Sequence, residues 1–213
     1  MVKFHDIKQN TDYWHQLRCG KVTASQIGKI MVNYPKAFSD PAKRYATQIA
    51  LEQITCKPCS DNYSNSEMDR GHEEEPIARK LYEDENFINV SNGGFFEDGD
   101  CGVSPDGLVD TNGLIEIKAQ KFNIHYDTVR KATPNSTYNW QYRFLLKVTG
   151  REWLDFVSYC STFPKGKQLF TYRMYAKDMK ENFKKIDDRL AQFFKLVEKT
   201  KQTILESKYD YRG

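Results

Sequence analysis

The spacing of apolar residues changes several times along the chain, and each spacing predicts an element. Over residues 11–33 an amphipathic segment pauses at Gly20 and restarts through Thr23, Ala24, Ser25 and Gln26 ahead of Ile27, Ile30 and Met31. This predicts a helix, a turn and a second helix capped by Thr23 or Ser25. Residues 41–55 carry Tyr45, Ile49, Leu51 and Ile54 at roughly helical spacing, and a polar, Pro-containing connection follows over 56–64. By residue 67 another helix begins, with Ile77, Leu81 and Tyr82 on one side; Pro76 inside it removes a backbone donor and predicts a kink or restart near Glu75. From 87 to 118 the pattern turns to short β-rich pieces divided by Asn92-Gly93-Gly94, Asp98-Gly99-Asp100, Pro105-Asp106-Gly107 and Thr111-Asn112-Gly113, a meander of strands.

Beyond a polar region at 119–136, residues 136–150 read as a helix that ends at Gly150 and buries Tyr138, Leu145 and Leu146. Two strands with β-branched and aromatic residues follow at 153–160 and 168–175. The chain closes with a long helix, about 177–206, in which Met179, Phe183, Ile186, Leu190, Phe193 and Val197 recur three or four residues apart and the lysines between them form a solvated face. There is no internal repeat and no low-complexity tract. Helices enclosing a central mixed β-sheet give an α/β (α+β) fold, and 213 residues suit a single domain over 1–213.

Composition narrows the class. Apolar residues at 39% and aromatics at 14% support a globular protein, and no apolar run approaches the roughly 20 residues of a membrane span. The N-terminus lacks the apolar stretch of a secretory signal, so the expected location is intracellular. Five cysteines are an odd set that favours reduced thiols; Cys56 and Cys59 alone have ligand-like spacing, and a plain loop is the better reading there than a zinc site. With 32 basic and 29 acidic residues, a net charge of +3 does not announce a nucleic-acid binder, so any such surface must be locally clustered.

One hairpin carries charge where a core strand should be apolar. Glu116 and Lys118 share one face of a strand, while Ile115 and Ile117 share the other. A turn around 110–113 brings Asp106 alongside, so that two carboxylates can point to one spot. Hard cations such as Mg²⁺ or Mn²⁺ take one or two carboxylates plus water and a substrate phosphate, and a nearby lysine can orient water and stabilise developing charge. By itself the pattern also fits a surface hairpin with an exposed ion pair.

Four ordered blocks together resemble the lambda-exonuclease or YqaJ-like family of phage and viral recombination nucleases, within the PD-(D/E)xK superfamily, over about residues 13–150. Tyr13 to Ser25 is similar to a W-x-x-L-R-x-G-x-(I/V)-T-A-S motif, and Gly71 to Arg79 to a G-x-x-x-E-x-x-A-R helix. The third block is Ser104-Pro105-Asp106-Gly107-Leu108 with Glu116-Ile117-Lys118, and the fourth is Trp140-Gln141-Tyr142. The resemblance implies a restriction-endonuclease-like core in which Asp106, Glu116, Glu75 and the Ile117 carbonyl hold metal. By the same resemblance Lys118 is the catalytic lysine, Gln141 lies near the nucleophilic water, and Arg18 and Ser25, with Thr23 and Ser104, bind a terminal 5′-phosphate. Trp14 is assigned to the core, without a role.

The implied activity is 5′-to-3′ digestion of linear double-stranded DNA with Mg²⁺, or Mn²⁺ in its place, at two ions per active site. Its products are 5′-mononucleotides and a 3′ single strand for recombination. The resemblance also implies a ring-shaped homotrimer on DNA ends, a single-strand annealing protein as partner, no membrane, and a phage- or prophage-encoded protein in the cytoplasm of a host cell. The alternatives are an endonuclease of the same superfamily and a catalytically inactive DNA-end-binding module. The last sixty residues match as generic strands and helix, and no role is carried over there.

Overall fold

The computed structural model describes residues 1–59 and 66–207. In chain order it contains β1 (Lys3–His5), α1 (Asp12–Arg18), β2 (Val22–Thr23), α2 (Ile27–Met31), α3 (Asp40–Thr55), α4 (Ser66–Asn86), β3 (Val90–Asn92), β4 (Phe95–Asp98), β5 (Cys101–Val103), β6 (Gly107–Val109), β7 (Gly113–Ala119), α5 (Phe122–Lys131), α6 (Asn139–Thr149), β8 (Trp153–Tyr159), β9 (Leu169–Tyr175) and α7 (Lys180–Glu206). Short 3₁₀ turns precede α6 and α7.

The strands form two mixed sheets, where the apolar pattern predicts one central sheet. One has the order β1-β4-β5-β2 and the other β3-β6-β7-β8-β9. The segment from 87 to 118 is therefore no simple meander: β3 pairs with β6, while the β4–β5 hairpin between them joins the other sheet. In the larger sheet β7 runs parallel to β8 over seven residue pairs, Gly113 opposite Trp153 through Ala119 opposite Tyr159. Parallel pairing needs a crossover, and α5 and α6 supply it.

Both faces of β7 and β8 are covered, which decides how the charged hairpin is read. Ile115, Ile117, Val157 and Tyr159 pack with Ala78 and Tyr82 of α4. On the opposite face Leu114, Leu154 and Phe156 join Tyr142, Leu145 and Leu146 of α6 and the apolar stripe of α7, Ile186, Leu190, Phe193 and Val197. Each such fully buried side chain contributes roughly 1.5–3 kcal/mol. Glu116 and Lys118 thus sit beneath α6 and not on an open surface, and Glu116 is only 2% exposed.

Several local expectations change. Neither Thr23 nor Ser25 caps α2, whose N-cap is Gln26 with no side-chain bond; Thr23 instead belongs to β2, paired in parallel with β5. Pro76 does not restart the helix, because α4 continues through it to Asn86. The region at 119–136 contains α5, whose buried positions are His125 and Thr128, so its inner face carries no apolar period. Tyr138 is half-buried, and Tyr142 and Phe144 take the core positions of α6 with Leu145 and Leu146. One basic residue is no part of a solvated face: Arg189 of α7 is 1% exposed and donates to the carbonyls of Ile30 and Lys36 at 2.8 and 2.9 Å. All five cysteines are free thiols, and the connection after Cys59 lies outside the described residues.

Candidate active site

The site begins with the β6–β7 hairpin. Gly107 and Val109 of β6 lie opposite Ile115 and Gly113 of β7, which brings Asp106, just before β6, beside the centre of β7. The backbone N–H of Ile117 donates to Asp106 Oδ2 at 2.6 Å, fixing that carboxylate against the strand and leaving its other oxygen free of this bond. The next residue must be glycine, because a Cβ at position 107 would lie 2.7 Å from Arg79 Nη2 and would overlap Val90. That closeness lets Arg79 reach from α4 to the carbonyls of Ser91 at 2.7 Å and Asp106 at 3.3 Å. Arg79 thereby ties α4, and Glu75 one turn earlier, to the hairpin.

Glu116 Oε1 accepts two charged or polar donors, Lys118 Nζ at 2.6 Å and Gln141 Nε2 at 2.6 Å. Its second oxygen, Oε2, is buried and meets no hydrogen-bond donor. A buried carboxylate oxygen without a donor costs on the order of 1–3 kcal/mol or more, unless a cation or water satisfies it. Glu75, Asp106, Ile117 and Lys118 line a cavity of about 590 Å³, together with Arg70, His72, Lys121, Ile124, Asn135 and Tyr138. Glu116 and Gln141 stand behind this lining.

The electrostatics follow from crowding acids in a dry place. Burial, then the Asp106 charge, pushes the Glu116 carboxyl up to about 8. Burial and Asp106 likewise push Glu75 up to about 7, with Lys118 and Arg79 opposing the rise. Asp106 is raised by burial, against Lys118 and the Ile117 N–H. Although burial alone would lower it, the Lys118 ammonium is held above its ordinary value by Glu116 and Asp106. These acids resist ionising together, and the unsatisfied Oε2 of Glu116 is an oxygen donor of the kind Mg²⁺ or Mn²⁺ accepts. Among the described residues no group of three His, Cys, Asp or Glu side chains holds a metal by itself, so a backbone carbonyl, substrate and water would complete the shell.

These shifts set a pH dependence. Glu116 at about 8 and Glu75 at about 7 lie above the roughly 4.3 of an unfolded glutamate. Between those values the folded chain holds protons that the unfolded chain has released, so stability falls as pH rises. In EDTA the thermal midpoint is expected to drop between about pH 5 and pH 8, and Glu116→Gln is expected to flatten that drop. A midpoint whose pH profile is identical in the variant would contradict the assignment.

A second cavity of about 350 Å³ is lined by Trp14, Arg18, Thr23, Gln26, Tyr45, Gln48 and Glu52. Arg18 ends α1 and lies over the Trp14 ring, 3.9 Å from its centroid. Among the described residues no hydrogen bond or ion pair reaches its guanidinium. Burial lowers the Arg18 pKa to about 10, with Tyr45 and Glu52 opposing, so it remains a cation at neutral pH. Glu52 is nearby but engaged, accepting from the Gly20 and Cys59 N–H groups at 2.8 and 3.0 Å. Thr23 lies in this lining, whereas Ser25 is exposed and outside it. The Ser104 hydroxyl also stands outside the lining and accepts the Trp14 indole N–H at 2.8 Å. Trp14, 8% exposed and assigned to the core alone, therefore connects Arg18 to the segment that leads into Asp106. Its place three residues ahead of Leu17-Arg18 in the first block was the signal for it.

The sequence pattern of the YqaJ-like viral recombinase domain matches residues 13–152. Among solved structures, an alkaline exonuclease from Laribacter hongkongensis is 30% identical, with a TM-score of 0.78 over 92% of this chain and 99% of that one. Its complex with dAMP matches equally well. A phage-related exonuclease from Haemophilus somnus 129PT shares the fold, at 17% identity and a TM-score of 0.68 over 87% of this chain and 96% of that one. No curated protein sequence matches the chain. The two mixed sheets and flanking helices are thus a PD-(D/E)xK-like fold, with the acid-acid-lysine hairpin in its larger sheet. With 140 residues of matching pattern running from the Trp14 block to the end of α6, the chain belongs to the YqaJ-like viral recombinase domain family.

Proposed function

We propose that this protein is a divalent-cation-dependent exonuclease that degrades one strand of linear duplex DNA from its 5′ end. It releases 5′-mononucleotides and leaves a 3′ single strand for phage-type recombination. The observation that carries the end-directed part is the unpaired Arg18 guanidinium in a cavity of its own, joined through Trp14 to Ser104 beside the acidic hairpin. A half-buried cation that no carboxylate contacts, with Glu52 in the same cavity already engaged by the Gly20 and Cys59 N–H groups, suits a phosphate dianion, which a chain end bears and an internal phosphodiester does not. Similarity to an alkaline exonuclease and to its complex with dAMP supports the same reading.

Asp106, Glu116, Glu75 and the Ile117 carbonyl would hold Mg²⁺, or Mn²⁺, as two ions. Such ions lower the pKa of bound water and polarise the phosphodiester. The chain's own groups do the rest. Lys118 places a positive charge at the cavity wall where a phosphate oxygen gains charge, and Gln141 fixes Glu116 from behind that wall. The homotrimer ring, the annealing partner and a cytoplasmic site in a host cell are proposed from the family resemblance. Among the described residues no helix is long and apolar enough to cross a membrane.

The test uses linear duplex with 5′-phosphate ends, the same duplex with 5′-hydroxyl ends, and covalently closed circles. Mononucleotide release from the first in Mg²⁺, slower release from the second, and intact circles are expected. Cutting of the circles would make the protein an endonuclease. Binding to ends that persists in EDTA with no turnover in Mg²⁺ would make it a binding module. Binding should weaken with rising salt, because contacts to phosphates release counterions.

A further inference from the structure

We propose that Tyr138 is a positioning residue for Lys118, its ring retaining the ammonium in the catalytic cavity independently of Glu116. The inference rests on the reading that Lys118 acts on the phosphodiester. Tyr138 closes the 3₁₀ turn Ser136–Tyr138 and stands at the N-cap of α6, three residues before Gln141. It lines the catalytic cavity, and its ring centroid lies 5.4 Å from Lys118 Nζ. That is within the roughly 6 Å over which an aromatic face attracts a cation.

The ring is itself held in place. Its centroid is 6.1 Å from that of Tyr142, which is fully buried and lies 5.5 Å from Phe156 of β8. Tyr138 is thus the outermost member of an aromatic row rooted in the core, and turning its face away from Lys118 would give up its contact with Tyr142.

Glu116 Oε1 is shared by Lys118 and Gln141, each at 2.6 Å. A lysine whose sole partner is a carboxylate that must also serve another ligand would follow whichever position leaves it paired. Four rotatable bonds make such wandering easy. A fixed aromatic face removes that freedom without competing for the carboxylate, because the ring face attracts the ammonium but neither takes a proton from it nor occupies its N–H groups as a hydrogen-bonding anion would. The neutral ring also leaves the ammonium's hydrogens available to a phosphate oxygen.

The test combines kinetics with a metal-free measurement. On 5′-phosphorylated duplex in Mg²⁺, Tyr138→Leu is expected to lower kcat by about tenfold with KM within about twofold, the scale of one partly desolvated cation–ring contact. Tyr138→Phe and Tyr138→Trp, which keep an aromatic face, should stay within about threefold of the parent. A Phe variant as slow as the Leu variant would assign the effect to the hydroxyl and overturn the proposal. In EDTA, urea midpoints of Tyr138→Leu, Lys118→Met and the double variant form a cycle; the double loss should be smaller than the sum of the single losses. Additive losses would overturn the contact, even with the kinetics as expected. A parent protein that releases no nucleotide would instead refute the nuclease reading, leaving the urea cycle to decide the contact separately.

Discussion

Asp106→Asn is expected to reduce nucleotide release from duplex ends by about a thousandfold or more while leaving the protein at least as stable as the parent in EDTA. The two halves of that expectation have one cause. Asp106 is an acid whose charge is opposed by burial and borne only through Lys118, the Ile117 N–H, Arg79 and His72. Removing the charge relieves a cost in the metal-free protein and relaxes Glu75 and Glu116, both of which Asp106 raises. It also removes a ligand charge that a hard cation needs. Lys118→Ala should lose activity similarly but behave differently in stability, since it strips Glu116 of its cation and leaves Gln141 alone on a buried carboxylate. Rates on 5′-phosphorylated duplex and thermal midpoints in EDTA would be measured side by side. Variants that keep near-parent rates would remove the hairpin from catalysis, whatever their stability.

Arg18→Ala is the second large effect. One charge-assisted bond to a phosphate contributes about 1.5–3 kcal/mol, so the variant is expected to lose roughly 10- to 150-fold in preference for 5′-phosphate over 5′-hydroxyl ends. On hydroxyl ends it should resemble the parent, because nothing there calls on the guanidinium. Arg18→Lys should recover only part of the preference, as a point charge cannot present the planar fork of guanidinium donors. The fold should survive each change, for the Arg18 guanidinium makes no hydrogen bond or ion pair among the described residues and contributes mainly its stacking on Trp14. If Arg18→Ala retained the full preference, the 350 Å³ cavity would not be the end-binding site, and the unpaired cation would need another ligand.

These expectations draw on residues with different histories. Asp106, Glu116 and Lys118 stand out in sequence because charge interrupts a strand pattern, and the glycine-rich turn at their base announces a hairpin. Glu75 is picked from three consecutive acids by the Gly71 and Arg79 register alone, and the structure adds the reason: Arg79 reaches the Asp106 carbonyl, so the helix is latched to the hairpin one turn after Glu75. Trp14 is marked only by its place in the first block, and Tyr138 has no such mark. Their roles depend on which atoms lie beside an indole N–H or a ring face, and those neighbours, Ser104 and Lys118, are 90 and 20 residues away in the chain.

Local periodicity by itself determined the helices α3 and α7, the strands β8 and β9 and the β6–β7 hairpin, because each has a helical or strand-type apolar spacing with turn chemistry at its ends. It could not determine α5, whose inward positions are His125 and Thr128, satisfied by bonds to Ser158, Gln120 and the Ile124 carbonyl instead of by apolar contact. It could not place β3 beside β6 in preference to β4, nor divide the described strands between two sheets, because both depend on pairings distant in sequence. The burial of Glu116 was decided at the same level. An alternating strand shows that Glu116 and Lys118 share a face, and only α6 packing over that face makes it a dry site where an acid resists ionising and an unpartnered oxygen has use for a cation.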